Sequence, residues 1–324
     1  MPDRTIRVFK ELWQNAWSSP TECLGPGCSS EAHIWCHSIS RSIISNELCD
    51  PSGKTTTIHY DPFSTTRLKL KRKPASNVLT FKGYCKKCDN NIFRPIEHDS
   101  TLNPHHISDK QASLLSLRPI AREYIKALNN IKWYNSILDK SDIKHEPFYL
   151  SPKITYAEWA TTKLAEFSNK INIFKSHLHL ATEAVYDHSI FEHKVSALDD
   201  LSLATSNYHA PTIVELIDGA IQNYTCIPYC LVSFPYQRKQ FCLESIQRRH
   251  PSIRQFILPD LSSPDSPITT DHIIHTARYP SEDVAIHPAK EEILTQGNSE
   301  EFIRSKTAFL RRQDRAWSSL QQRL

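Results

Sequence analysis

The sequence feature that most constrains the fold is a set of two close cysteine pairs in the N-terminal third of the chain. Cys23 and Cys28 are separated by four residues, and Cys85 and Cys88 by two. Each pair can bind one edge of a tetrahedral metal ion, and the chain between the pairs must then fold back to bring them together. The spacing therefore predicts a structural Zn²⁺ site with four thiolate ligands. Four unrelated core cysteines are the weaker interpretation.

Length and composition indicate a soluble globular protein. The 324 residues are enough for one large domain or two ordinary ones, and 23% of them are charged and 39% hydrophobic. No apolar run reaches the roughly 18 residues of a membrane-spanning helix, and the N-terminal residues lack the apolar segment of a secretory signal. Nine cysteines, four of them at metal-ligand spacing, fit a reducing compartment better than a disulfide scaffold. We therefore expect a cytoplasmic protein with no membrane partner.

The excess positive charge lies in the N-terminal third. Residues 1–110 contain 15 Lys and Arg against 11 Asp and Glu, a difference of +4 that equals the net charge of the whole chain. Four cations in this stretch would share one face of a strand. This basic strip consists of Arg67, Lys69, Lys71 and Lys73. Beside a metal site it would suit the phosphate backbone of a nucleic acid. A solvated edge strand protected by lysines is at least as good an interpretation.

Hydrophobic periodicity predicts an α+β protein in two parts. Residues 18–107 combine the cysteine pairs with short strands and one short helix, which Pro95 is expected to end. Residues 108–324 are expected to be mostly helical and to form an accessory region that binds a target or a partner. Amphipathic stripes over 114–128 and 156–185 carry that prediction.

Two further expectations concern the second part. In the stripe over 156–185, three aromatic side chains should be among the most enclosed: Trp159, Phe167 and Phe174. A last helix is predicted near residues 299–322.

A longer motif gives the cysteine region a family resemblance. The motif consists of HSIS, which begins at His37, and FKGYCKKCDNNIFRPIE, which begins at Phe81. It resembles a group of bacterial HNH-like proteins whose signature is S-H-S-I followed by F-x-G-F-C-x-x-H-D-x-x-x-F-x-P-I-E. The similarity covers residues 20–128, about a third of the chain. It implies a small, zinc-stabilised ββα-metal core of the HNH endonuclease superfamily.

The resemblance also implies a reaction and a set of roles. HNH enzymes hydrolyse phosphodiester bonds, and DNA is the favoured nucleic-acid target here. In them a histidine removes a proton from water while a divalent metal neutralises charge on the leaving oxygen. By resemblance, His37 is the general base, and Asp89 and Asn91 are further catalytic residues. Asp89 would bind a catalytic Mg²⁺ or Mn²⁺, and the four cysteines a separate structural Zn²⁺.

Two positions depart from the family pattern. Cys88 replaces the histidine of the signature, which conserves a good zinc ligand. Cys36 stands before the expected base, where active enzymes have an acid or a histidine that binds the catalytic metal. A thiol is a poor ligand for Mg²⁺. His37 can also be read as a core histidine or a zinc ligand, and Asp89 as a helix cap.

Three functions therefore remain open. The first is an HNH-type endonuclease, whose place in phage defence or mobile elements is suggested by analogy alone. The second is a non-catalytic, zinc-stabilised module that binds nucleic acid or protein, which Cys36 favours. The third is a helical interaction protein, with a protein partner or a second copy on its helical region, in which the zinc only fastens the N-terminal part. Retention of His37 with Asp89-Asn90-Asn91 favours the first.

Overall fold

The computed structural model describes residues 3–60, 68–97, 103, 106–148, 151–217, 220–258, 266–278, 283–296 and 301–302. Within these ranges the protein mixes helices and strands, as the α+β prediction required. The helices are α1 (Asp3–Ser18), α2 (Arg41–Glu47), α3 (Lys86–Glu97), α4 (Asp109–Asp139), α5 (Ser141–Lys144), α6 (Tyr156–Ala184), α7 (Arg254–Ile257), α8 (Thr270–Arg278) and α9 (Glu292–Thr295). Short 3-10 turns lie at Ala75–Asn77, Pro251–Ile253 and Pro288–Lys290.

The strands form one large sheet and four short ribbons. In chain order they are β1 (Thr21–Glu22), β2 (Glu31–Ala32), β3 (Cys36–His37), β4 (Lys54–Tyr60), β5 (Leu68–Pro74), β6 (Thr80–Phe81), β7 (Pro147–Phe148), β8 (Ser151–Thr155), β9 (Phe191–Asp199), β10 (Leu203–His209), β11 (Thr212–Ile217), β12 (Ala220–Cys226), β13 (Tyr229–Tyr236), β14 (Lys239–Gln247) and β15 (Val284–Ile286). The large sheet has the order β5-β4-β15-β10-β13-β14-β9, and all its pairings are antiparallel. The ribbons are β1-β2, β3-β6, β7-β8 and β11-β12.

Each face of the large sheet is covered by a different layer. On one face, the inner side chains of β13 and β14 join α2, α3, α4 and the cysteine loops in one hydrophobic cluster. On the other face, alternate side chains of the same strands pack against α7, α8 and α9. Both faces of β13 and β14 are covered, so these strands are buried almost throughout, as strands in the middle layer of three are.

The two longest helices start at complete capping boxes. At α4 the Ser108 side chain accepts from the backbone N–H of Gln111, and the Gln111 side chain accepts from that of Ser108. Thr155 and Glu158 make the same reciprocal pair at α6. Such boxes satisfy two N–H groups that a helix start otherwise leaves unpaired. They fix where the helical layer begins.

The prediction of a mostly helical region after residue 107 holds for residues 109–184. It is wrong for the region of residues 191–247, where the structure has the strands β9 to β14. The apolar run at 227–234 lies within the latter. A short, continuously apolar run has no periodicity that separates a buried strand from a buried helix. The sheet also crosses the predicted boundary between residues 107 and 108, because β4 pairs with β15.

Pro95 does not end its helix, as the sequence suggested, but lies inside the last turn of α3. The missing N–H of Pro95 leaves only the carbonyl of the exposed residue Asn91 without its helical partner, and water can replace that bond. Of the last predicted helix, only 301–302 are described, and they are helical. The remainder of 299–322 lies outside the described residues.

An aromatic cluster joins α1 to the long helices. The Phe9 ring lies 5.0 Å from that of Trp133 and 4.9 Å from that of Tyr156, and all three are buried. Trp159 and Phe167 pack at the rim of this cluster and are half-buried, as is Phe174. The expectation that these three are among the most enclosed side chains is therefore wrong, because α6 leaves much of its outer surface uncovered.

Among the described residues, no helix combines the length and the apolarity needed to cross a bilayer.

Candidate metal centre and adjoining polar cluster

Two separate turns bring the four cysteines together. Cys23 and Cys28 lie in the loop between β1 and β2, where the N–H of Cys28 donates to the Gly25 carbonyl at 3.0 Å. Cys85 immediately precedes α3, and Cys88 lies in its first turn. The Leu24 N–H donates to the Gly83 carbonyl at 2.9 Å and ties the two turns to each other.

The four sulfur atoms form a compact group that could hold a metal ion. All four Sγ atoms lie within 4.8 Å of one another, and those of Cys28 and Cys85 are 3.9 Å apart. Tetrahedral zinc with bonds of about 2.3 Å requires sulfur separations of about 3.8 Å. The predicted convergence of the cysteine pairs is confirmed, and its geometry is compatible with a structural zinc. Within the described part of the chain, no other group of three or more His, Cys, Asp or Glu side chains has such an arrangement.

The surroundings of the cysteines suit thiolates. The Cys23 sulfur accepts from the N–H groups of Gly25 at 3.4 Å and Cys85 at 3.2 Å, and the Cys85 sulfur accepts from Cys88 N–H at 3.5 Å. Such bonds stabilise negative charge on sulfur. Hydrogen bonds from Ser30 lower the pKa of Cys28 to about 6. Burial raises the pKa of Cys23, so metal binding must displace a proton there.

Gly25 is required by the closeness of the two turns. A Cβ added at residue 25 would lie 2.5 Å from Cys88 Sγ and 2.9 Å from Cys88 Cβ, closer than real atoms approach. We expect Gly25→Ala to push Cys88 outward and to speed zinc loss to a colorimetric chelator. Overpacking typically costs about 1–3 kcal/mol, which corresponds to roughly 5- to 150-fold weaker binding. Ser29→Ala, on an exposed residue of the same turn, is the control. Equal zinc release from both variants would contradict this account.

A two-stranded ribbon presents His37 beside the cysteine group. In the ribbon of β3 and β6, Cys36 is opposite Phe81 and His37 opposite Thr80. The His37 Nε2 lies 3.2 Å from the carbonyl of Ala75, the residue that follows β5. Burial lowers the pKa of His37 below its ordinary value of 6.5. The ring is therefore neutral at pH 7, with Nε2–H donating to the carbonyl and Nδ1 carrying the free lone pair.

Cys36 and Asp89 lie close together on the inner side of that ribbon. Cys36 is 1% exposed, and burial together with the neighbouring Asp89 carboxylate raises its pKa to about 12. The thiol is therefore protonated, and its Sγ lies 3.9 Å from the Ile34 carbonyl oxygen and 4.0 Å from that of Tyr84. Burial raises the pKa of Asp89, while the Arg118 charge and the Cys36 thiol act in the opposite direction. The Oδ1 atom of Asp89 is buried without a hydrogen-bond partner among the described residues.

A buried ion pair between Arg118 and Glu97 completes the cluster. Sequence reasoning assigned no role to Arg118. The Arg118 guanidinium, 1% exposed, donates to the Glu97 carboxylate and lies 4.3 Å from the Phe93 ring centroid. Its Nε and Nη1 atoms have no partner in the described part of the chain. The charges of both members act on His37 and on Asp89 alike. An arginine inside the apolar run of α4 was the available signal.

Asn91 is not brought to this cluster. It is exposed on α3, whereas Asp89 faces inward two residues earlier. Two residues of α-helix turn the chain by about 200°, so these two side chains point to opposite sides. The prediction that Asp89 and Asn91 act in the same site is therefore wrong, because it did not allow for the helix that separates their side chains.

The basic strip lies on β5 at the edge of the large sheet, where the alternative interpretation expected it. Lys69 and Lys71 are exposed, Lys73 is half-buried, and Arg67 lies outside the described residues. Leu70 packs against the cluster of the opposite face, so the lysines face the side of the sheet that carries α4. The strand then leads directly to Ala75, whose carbonyl holds His37. The strip therefore ends beside the histidine.

Comparisons with known proteins add no relative. A scan against protein-family models found no match, and searches of curated proteins and of solved structures found none either. The HNH resemblance therefore rests on the motif alone.

Proposed function

We propose that this chain is a metal-dependent phosphodiesterase of HNH type that cleaves nucleic acid, with DNA as the favoured target. The observation that carries the proposal is the combination of an oriented imidazole, His37 on the Ala75 carbonyl, with a buried Asp89 oxygen that has no partner among the described residues. β3 holds His37 and α3 holds Asp89, and the cysteine group fastens the β1-β2 loop to the start of α3. The motif resemblance likewise implies a base on a strand and a metal ligand on a following helix.

His37 has the properties of a general base. Its Nε2–H is held by the Ala75 carbonyl, so the ring cannot rotate freely and its Nδ1 lone pair keeps one direction. Its lowered pKa leaves that lone pair unprotonated at neutral pH. A base that is neutral and oriented can take a proton from a water molecule as the water attacks phosphorus.

Asp89 is the residue that would hold a divalent cation. Its buried Oδ1 atom lacks a partner among the described residues, which is costly unless a cation or a donor binds there. A hard ion such as Mg²⁺ or Mn²⁺ prefers oxygen ligands and would supply charge neutralisation at the leaving oxygen. The cationic side chains of β5 would contact the phosphate backbone beside the scissile bond.

Cleavage of a labelled DNA substrate with added Mg²⁺ or Mn²⁺ tests the proposal. We expect His37→Ala to lower the rate by about 10²- to 10⁴-fold, the usual contribution of a general base. Zinc content and thermal stability should change little, because His37 is not among the cysteine ligands. His33→Ala is the matched control, since His33 is exposed, lies four residues away, and has Glu31 as its ion-pair neighbour at 4.0 Å. Equal rates for the two variants would exclude His37 as the base.

Cys36 favours a second candidate function, a non-catalytic module that binds nucleic acid or protein. Its thiol is buried and protonated beside Asp89, and a thiol is a poor ligand for Mg²⁺. Wild-type protein that binds DNA in a salt-dependent way but cleaves neither DNA nor RNA would support this function. Cys36→Asp, which restores an oxygen ligand, separates the two candidates: cleavage by that variant would mean that only the metal ligand is missing.

A further inference from the structure

An exposed tryptophan stands next to the proposed site. Trp35 immediately precedes β3 and is 55% exposed, which makes it one of three large hydrophobic side chains so exposed in the described part of the chain. Full exposure of an indole ring is unfavourable in water unless a partner covers it. The other two, Tyr186 and Val195, lie more than a hundred residues away from Trp35 in the sequence.

The Trp35 ring is held in place by a cation. The Lys82 ammonium lies 4.9 Å from the ring centroid, and it also donates to the Ser18 carbonyl at 3.0 Å. Lys82 follows β6 and stands opposite Trp35 because Cys36 pairs with Phe81. The ring is thus oriented before any partner binds, which reduces the entropy that binding must overcome.

The ring contacts one cation, Lys82, and further lysines follow within a few residues of the chain. Lys86 and Lys87 are exposed in the first turn of α3, where the helix dipole disfavours cations. Asp89, the only acid between residues 80 and 90, turns inward. An aromatic ring in contact with a lysine is a combination that can bind single-stranded nucleic acid, by stacking on a base and by contact with its phosphates.

Trp35 and His37 are two residues apart and lie on the same side of the extended chain, while Cys36 between them is buried. Two residues of strand span roughly 6.6 Å, which leaves room for a base on the ring and a neighbouring phosphodiester at the imidazole. We propose that Trp35 stacks on an unpaired base and so places a neighbouring phosphodiester at His37, which makes single-stranded or locally unpaired nucleic acid the substrate. This inference rests on the proposed function for the position of the cleaved bond.

Fluorescence anisotropy with a labelled single-stranded oligonucleotide and its duplex form tests the inference. The zinc-loaded protein is used without added Mg²⁺ or Mn²⁺, so that binding is measured without cleavage. We expect the wild type to bind the single strand more tightly than the duplex. Trp35→Ala should weaken single-strand binding by about 5- to 150-fold, the range found when a stacking ring is removed. Trp35→Phe, which keeps a ring, should retain most of the affinity.

Tyr186→Ala is the matched control, because Tyr186 is the other highly exposed aromatic residue, at 76%. It should bind like the wild type. The inference is overturned if Trp35→Ala binds the single strand as the wild type does, or if it loses equal affinity for single strand and duplex. A protein that shows Trp35-dependent binding but no cleavage under any metal would contradict the proposed function and leave the stacking role standing.

Discussion

Replacing Cys85 with serine should abolish zinc binding and destabilise the N-terminal part of the protein. Elemental analysis is expected to give one zinc per wild-type chain and close to none for Cys85→Ser. The binding free energy of a structural zinc, about 10–16 kcal/mol in zinc-finger peptides at neutral pH, is also folding free energy. Cys85 is 8% exposed and belongs to the same hydrophobic cluster as the sheet. A fall in thermal midpoint should therefore accompany the loss of metal.

Cys49→Ser is the control for this prediction. Cys49 is half-buried against the same hydrophobic cluster but does not belong to the cysteine group. Its replacement should leave one zinc per chain. Wild-type protein purified without zinc, or a Cys85→Ser variant that still binds it, would contradict the proposed role of the cysteines.

Glu244→Ala should be the most destabilising single change in the large sheet. The Glu244 carboxylate on β14 accepts from Arg254 Nε and Nη2, both at 2.7 Å, and from the Tyr229 hydroxyl at 2.8 Å. Both members of the ion pair are buried. Removing one leaves an uncompensated charge in the interior, which typically costs about 3–5 kcal/mol. Urea unfolding, followed by circular dichroism, should report this loss.

Asp199→Ala provides the comparison for Glu244. Asp199 is 98% exposed and lies 3.7 Å from Lys239, on the same pair of strands. Exposed ion pairs contribute about 0–1 kcal/mol because water screens them. If Glu244→Ala costs no more than Asp199→Ala, the buried pair does not stabilise the fold. Replacing both Glu244 and Arg254 with apolar residues should restore most of the stability, since no charge would then remain buried.

The sequence was a good guide to the cysteine region because its signals are local. A C-x2-C pair at a helix start and a C-x4-C pair in a glycine-containing turn each fix their own backbone over a few residues. The short strands and the short helix expected within residues 18–107 are present in the structure, among them β4, β5 and α3. The same local reasoning failed for Asn91, because the helix that follows the cysteines turns that side chain away from Asp89.

The sequence was a poor guide to the large sheet. β4 pairs with β15 across more than two hundred residues, and no local pattern encodes that pairing. The apolar run at 227–234, most of which lies in β13, fits a buried helix as well as a buried strand. A domain boundary drawn from the change in composition near residue 108 therefore passes through a single sheet.

Charged residues inside apolar segments show the difference between what the sequence determines and what only the tertiary structure determines. Arg118 and Glu244 can each be recognised in the sequence as ions among hydrophobic neighbours, but their partners cannot. The sequence by itself determined that four cysteines could share one metal, because ligand spacing is a short-range property of the backbone. Only the tertiary structure decided that Arg118 meets Glu97 beside His37 and Asp89, because the sheet and α4 bring distant segments into one low-dielectric interior, where each buried charge must find its counterpart.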